Sequence, residues 1–224
     1  MIRILLVDDH AVVRLGVKQV LADSIPGSVF EEAGSAQEAL SQVRTSAFDI
    51  AILDIALPGE SGLDVLKRIK QISPGLPVLM LSVYAEEEFA VRTLRAGAAG
   101  YVTKKAASTD LAEAVRRIVD GGRYVTNAVA EKLADEVQRG AAPSPHERLS
   151  DREYQVFRLL GMGKSVTQAA EEMSLSVQTI STYRARILQK MGMSSNADLV
   201  EYVFSNRLSI SESRGPKPRR DRSG

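Results

Sequence analysis

A chain of 224 residues with 44% hydrophobic residues and a net charge of +1 is long enough for one large or two small domains with ordinary cores. It has no cysteine, which excludes a disulfide scaffold, a thiolate metal site and a thiol nucleophile. The opening run from Met1 reaches acid at Asp8, too soon for a signal peptide, and no stretch approaches the roughly 20 apolar residues of a bilayer span, so a soluble, cytoplasmic protein without membrane association is expected. The charge is uneven: residues 1–122 hold 13 Lys and Arg against 16 Asp and Glu, and residues 123–224 hold 16 against 12. The first part suits a cation and the second an anion.

In chain order, short aliphatic runs predict strands near 2–7, 29–33, 49–54, 77–82 and 99–103. Amphipathic stretches predict helices over 12–21, 37–44 behind a capping box at Ser35 and Glu38, 63–70, 87–96 and 110–119. This alternation predicts an α/β fold over residues 1–122, a doubly wound five-stranded parallel sheet. Past Gly122 the strand signals stop. Residues 123–148 read as a linker with a helix over 127–138, then a loop in which Pro143 and Pro145 disfavour helix.

Residues 149–208 read as a small all-α domain. Ser150 with Glu153 forms a capping box bracketed by Leu149 and Tyr154, and Ser165 with Gln168 forms another, opening a helix to about residue 173. Ser176 caps a helix over 177–191, and a last helix covers 196–206. Two helices joined by the short turn 174–176 suit a helix-turn-helix. The tail, 209–224, is basic, and from Ser213 onward it has no large apolar residue, so it is expected to be disordered.

Chemistry-bearing residues stand at the carboxyl ends of four predicted strands: Asp8 and Asp9, Asp54, Ser82 and Lys104. That edge of an open parallel sheet is where ligands bind. At ~4 Å and an effective dielectric of about 20, each pair of like charges costs on the order of 4 kcal/mol, so three converging carboxylates call for a cation. The donors are oxygens, which indicates a hard ion, and Mg²⁺ suits because it keeps waters and bridges carboxylate to phosphate. Lys104 adds positive charge and Ser82 a hydroxyl, giving a pocket fit for a phosphoryl group arriving on a carboxylate oxygen. Asp54 is the expected nucleophile, alone at its strand end before the open Pro58-Gly59 loop, with Asp8 and Asp9 holding the metal. His10, at the start of the first helix, is read as a packing or hydrogen-bonding residue.

On the helix over 177–191, Ile180, Tyr183, Ile187 and Met191 share one side with Leu188 at its margin. Gln178, Ser181, Thr182, Ala185 and Gln189 occupy the other, flanked by Thr179 and Arg186. Residues 177–190 contain Arg184, Arg186 and Lys190 and no acid. Small polar side chains among cations suit a helix lying in a DNA major groove.

With these motifs in place, residues 1–122 resemble the receiver domain of two-component response regulators. Val7-Asp8-Asp9-His10, Leu53-Asp54-Ile55-Ala56-Leu57-Pro58-Gly59, Leu81-Ser82 and Gly100-Tyr101-Val102-Thr103-Lys104 match its motifs in order. Leu149-Ser150-x-Arg152-Glu153 and the run from Ala169 to Met191 resemble the LuxR-type helix-turn-helix, so the chain is similar to the NarL/FixJ family. The resemblance implies a flavodoxin-like receiver in which Asp54 accepts phosphate from a sensor histidine kinase. It implies Mg²⁺ bound by Asp8, Asp9, Asp54 and the carbonyl of Ala56, phosphoryl contacts from Ser82 and Lys104, and Tyr101 as an aromatic switch.

For the output domain, the resemblance implies promoter DNA as the partner. Ser181, Thr182 and Ala185 would read bases beside Gln178, and Thr179, Arg184, Arg186 and Lys190 would contact the backbone. A homodimer when phosphorylated is implied through Leu199, Val200 and Val203 of the last helix, which is expected to expose them with Phe204, and this would set two recognition helices about 34 Å apart. Ser181 and Ala185 are smaller and less charged than in the commoner members, which points to readout through water or groove shape.

Other readings are weaker. A phosphatase or phosphotransferase of haloacid-dehalogenase type would need a second acid where Ala56 stands. An acyl-homoserine-lactone pocket is opposed by the charged strand ends. A regulator that works by oligomerisation without phosphate is compatible with the sequence. The protein is thus expected to be a phosphoacceptor and not an enzyme, beyond phosphorylating and dephosphorylating itself.

Overall fold

The computed structural model describes residues 1–84, 86–139, 144–206 and 208; Pro143 and the basic tail lie outside the described residues. Five strands, β1 (Arg3–Val7), β2 (Val29–Ala33), β3 (Ile50–Asp54), β4 (Val78–Ser82) and β5 (Gly100–Thr103), pair in parallel in the order β2-β1-β3-β4-β5. Around them lie α1 (Ala11–Ser24), α2 (Ala36–Thr45), α3 (Gly62–Ile72), α4 (Glu86–Arg95) and α5 (Ala107–Val119). Strand side chains alternate between the two covered faces. Ile4, Leu6, Ile52 and Val102 pack with residues of α1 and α5, while Leu5, Val7, Leu53 and Met80 join the cluster of α2, α3 and α4. The strand order reverses between β1 and β3, which opens a crevice above their carboxyl ends.

The remaining elements are helical: α6 (Asn127–Arg139), a 3-10 helix (Pro145–Arg148), α7 (Asp151–Gly161), α8 (Val166–Glu172), α9 (Val177–Met191) and α10 (Asn196–Ser205). Reciprocal capping boxes form at Ser150 with Glu153 and at Ser165 with Gln168, and a third forms at Ser195 with Asp198. The box predicted at Ser35 is only half made. Ser35 accepts from the Glu38 N–H, but the Glu38 carboxylate turns to the Gly34 N–H at 2.8 Å.

Helix α7 is buried along its whole length. On one side it meets α10, where a Cβ on Gly161 would overlap Val203 Cγ2. Leu199 and Val203 are consequently core residues, 0% and 1% exposed, which corrects the expectation that they form an outer dimer contact. Their apolar face is spent on closing the small domain, leaving Val200 half-buried and Phe204 exposed.

On its other side α7 meets the α/β half. Asp151 accepts from Lys67 Nζ at 2.7 Å and from Arg92 Nη1 at 3.1 Å. The other Arg92 nitrogen, Nη2, donates to the carbonyls of His146, Glu147 and Leu149 at 2.9, 3.2 and 3.1 Å, and its guanidinium lies 4.2 Å from the Tyr154 ring centre. These carbonyls lie in the 3-10 helix and just after it, so one arginine of α4 secures the entry to α7. The Phe89 ring meets Tyr154 edge-on at 5.2 Å. Among the described residues no helix is long and apolar enough to cross a membrane.

Two consequences are measurable. A Cβ on Gly62, the first residue of α3, would overlap the Asp54 carbonyl oxygen and lie 2.7 Å from Ile55 Cα, both backbone atoms. Gly62→Ala should lower stability by about 3 kcal/mol, read by urea unfolding. The second concerns His146, stacked on Phe157 with its Nδ1 2.8 Å from the Tyr202 hydroxyl. Burial, with the nearby Arg92, holds its imidazole down at about 4 against 6.5 for the free side chain. The unfolded chain therefore binds a proton that the folded one refuses, and stability present above pH 6.5 is lost as the pH falls toward 4. His146→Gln should flatten that acid-side loss by about 2 kcal/mol, allowing for partial solvent screening of the ring.

Candidate functional site

Val7 pairs with Leu53, so the next residues, Asp8 and Asp54, emerge side by side from β1 and β3. Ser82 pairs with Thr103 on the other side of β3, which brings Lys104 round to the same end of the sheet. The Lys104 N–H donates to the Ser82 carbonyl at 2.6 Å. Its ammonium lies 2.6 Å from Asp8 Oδ2 and 2.9 Å from Asp54 Oδ2. His10 donates its backbone N–H to Asp8 Oδ1 at 2.8 Å and sets Nδ1 2.9 Å from Asp9 Oδ1. One ligand atom from each of Asp8, Asp9, His10 and Asp54 lies within 4.8 Å of all the others.

Burial raises the Asp54 carboxyl above the ordinary aspartate range; Lys104 opposes this, Asp8 adds to it, and the Ala56 N–H also favours the charged form. Burial depresses the Lys104 ammonium, but Asp54 and Asp8 together outweigh that and leave it raised. One ammonium is thus shared by two buried carboxylates. Asp54 Oδ1 is itself buried and meets no hydrogen-bond donor among the described residues. A hard divalent cation fits such a set: clustered carboxylate oxygens, an excess of negative charge and an oxygen with an uncommitted lone pair.

Ser82 is fully buried and accepts the Tyr84 N–H at 3.2 Å. Tyr101, 1% exposed, donates its hydroxyl to the Tyr84 carbonyl at 2.9 Å. The two predicted switch residues therefore hold opposite sides of one peptide segment. The Tyr84 ring stacks on Phe89 at 4.6 Å, and Phe89 touches Tyr154 of α7, so ring contacts run from this segment to the helical half.

On α9, Ile180, Ile187, Leu188 and Met191 are buried, while Gln178, Thr182, Ala185 and Arg186 are exposed. Thr179 and Ser181 are half-buried. Several side chains on this surface are already engaged. The Thr179 hydroxyl lies 2.7 Å from Ser176 Oγ, and Thr182 donates to the Gln178 carbonyl at 3.0 Å. Arg184 Nε donates to Asn196 Oδ1 at 2.6 Å, and Lys190 Nζ donates to Glu153 Oε2 at 2.7 Å. Among the described residues no such tie is made by Arg186, an exposed cation of this face.

Residues that the motifs did not single out also bear on the site. Arg14 Nη1 donates to the Asp8 carbonyl at 2.6 Å while Nε donates to Glu32 at 2.8 Å, fixing the end of β1. Arg152 Nη2 donates to the Leu57 carbonyl at 2.7 Å, in the loop that follows Asp54.

Residues 4–116 match the response regulator receiver domain, and residues 147–203 match the luxR family of bacterial regulatory proteins. The chain is 32% identical to the response regulator UvrY of Escherichia coli (strain K12), over 95% of this chain and 98% of that one. It is 36% identical to the response regulator GacA of Pseudomonas viridiflava, over 89% and 94%. Its fold is also that of RcsB from Salmonella enterica serovar Typhimurium, solved bound to promoter rprA in the presence of phosphomimetic BeF3-, with a TM-score of 0.60 at 23% identity over 93% of this chain and 99% of that one. With the receiver match spanning half the chain and relatives matching nearly all of it, the protein belongs to the NarL/FixJ family of two-component response regulators, DNA-binding transcription regulators controlled by phosphorylation.

Proposed function

We propose that Asp54 is the phosphoacceptor and that α9 reads promoter DNA when Asp54 is phosphorylated. The observation that carries this is Asp54 Oδ1, a buried carboxylate oxygen with no donor among the described residues, beside Asp8 and Lys104 at the crevice of the sheet. In this reading the carboxylate oxygen attacks phosphorus, the P–N bond to a histidine of the sensor kinase breaks, and its electron pair stays on the imidazole. Asp8, Asp9, Asp54 and the Ala56 carbonyl would hold Mg²⁺, which supplies neutralising charge for the phosphoryl oxygens. Lys104 exchanges a carboxylate contact for a phosphoryl oxygen, and the Ser82 hydroxyl supplies a donor once it turns from Tyr84.

The phosphoryl group brings roughly −1.5 to −2 charge into this space. Tyr84, held by both Ser82 and Tyr101, gives the change a path into the β4–α4 segment. A shift from 1:99 to 99:1 between two states requires about 5.5 kcal/mol of preference for the phosphorylated pocket. The reading divides the chain into a receiver (1–122), a linker (123–148), a DNA-binding domain (149–208) and a basic tail, acting in the cytoplasm. A phosphorylated homodimer would use Val200 with the exposed Phe204 rather than the buried Leu199 and Val203. The chemistry is limited to the chain's own phosphorylation and dephosphorylation.

Asp54→Asn should abolish Mg²⁺-dependent, acid-labile labelling by a small phosphodonor such as acetyl phosphate; undiminished labelling would remove Asp54 from the role. Arg186→Ala should weaken promoter binding and reduce the slope of log K against log salt by about 0.9, one phosphate contact. An unchanged slope in a fluorescence-anisotropy titration would exclude that contact.

A further inference from the structure

We propose that Arg152, on the first helix of the DNA-binding half, is a positioning residue of the phosphorylation pocket. The inference rests on the reading of that pocket given above. Arg152 is 8% exposed, a guanidinium taken almost wholly out of water. It donates through Nη2 to the Leu57 carbonyl at 2.7 Å and through Nη1 to Gln155 Oε1 at 2.9 Å. The Gln155 amide nitrogen in turn lies 3.5 Å from the Ile55 carbonyl, a long contact on the same side.

Leu57 and Ile55 flank Ala56. The N–H of Ala56 acts on the Asp54 carboxylate, and its carbonyl is the expected metal ligand. Contacts from α7 to the carbonyls of residues 55 and 57 hold the planar peptide groups on either side of Ala56, and so limit the directions its own carbonyl can face. Within the loop itself, Ile55 O accepts from the Gly62 N–H at 2.9 Å and Pro58 O from the Glu60 N–H at 2.9 Å. Arg152 supplies a charge-assisted bond to Leu57, which is 1% exposed, from a different domain. The metal loop of the receiver is in this sense built with a part from the output domain. By linkage, metal binding would tighten α7 on the receiver by the same factor that docked α7 tightens the metal.

The test uses the full chain without phosphodonor and reads Mg²⁺ binding by calorimetry, with the Ala56 amide resonance as a local probe. Lys67→Ala serves as a control, because it removes an interface ion pair with Asp151 without touching the loop. Arg152→Ala should weaken Mg²⁺ binding about tenfold and shift the metal-free Ala56 amide resonance. Arg152→Lys, which keeps the charge but loses the fork, should recover part of the affinity and covers the case in which the alanine variant does not fold. Lys67→Ala should bind Mg²⁺ as the parent does, because the Arg92 bonds to Asp151 and to the carbonyls before α7 keep that helix docked. Parental Mg²⁺ affinity in both Arg152 variants, or an equal loss in Lys67→Ala, would overturn the proposal while leaving the pocket intact. A parent chain that binds no Mg²⁺ would overturn the reading of the pocket itself, and this proposal with it.

Discussion

The structure turns on a shortage of positive charge. Asp8 and Asp54 are buried side by side because β1 and β3 are neighbours, and one ammonium, that of Lys104, answers both. Lys104 reaches them from β5, across β4, so the pocket exists only when four of the five strands are in register. Elsewhere in the receiver half the same strands carry little but aliphatic side chains on both faces. The sheet is a conventional apolar core that concentrates its electrostatic cost at one edge, where an incoming group is able to relieve it.

That edge is not isolated from the rest of the chain. Two short loops leave it, and each ends on α7. The loop after β3 meets Arg152 through Leu57, and the segment after β4 meets Tyr154 through Tyr84 and Phe89. Between these points Lys67 and Arg92 close on Asp151. Helix α9 is held to the same scaffold, since Lys190 bonds Glu153, the acid that also caps α7. Its Gln178, Thr182, Ala185 and Arg186 remain exposed in this arrangement, so docking of the two halves leaves that face of α9 uncovered.

Much of this was legible in the sequence, for identifiable reasons. Strands buried on both faces leave continuous apolar runs, and the charged residues that end those runs are conspicuous; this located the inner strands β1, β3 and β4 and the Asp8 and Asp54 pair, whereas the edge strand β2, with Glu31 and Glu32, shows no such run. Local caps such as Ser150 with Glu153 are written within four residues. The tie between Lys67 and Asp151 joins residues 84 apart and follows no periodicity, so nothing local announces it. Leu199 and Val203 show the opposite limit. Their spacing marks an apolar face of α10, but whether that face meets a second copy or α7 depends on Gly161, a residue whose lack of a side chain carries no hydrophobic signal.

Helix α7 combines complete burial with an unusually polar sequence, holding Asp151, Arg152, Glu153, Gln155 and Arg158 among its apolar residues. Where it meets the receiver, Asp151, Arg152 and Gln155 are joined by Tyr154 alone among large rings. If the halves part, the charge and amide groups at this seam hydrate readily, while Phe89 and Tyr154, which belong to one continuous apolar cluster, lose their cover. An interface of this mixed composition loses less on opening than a wholly apolar one would, because its polar groups exchange protein partners for water.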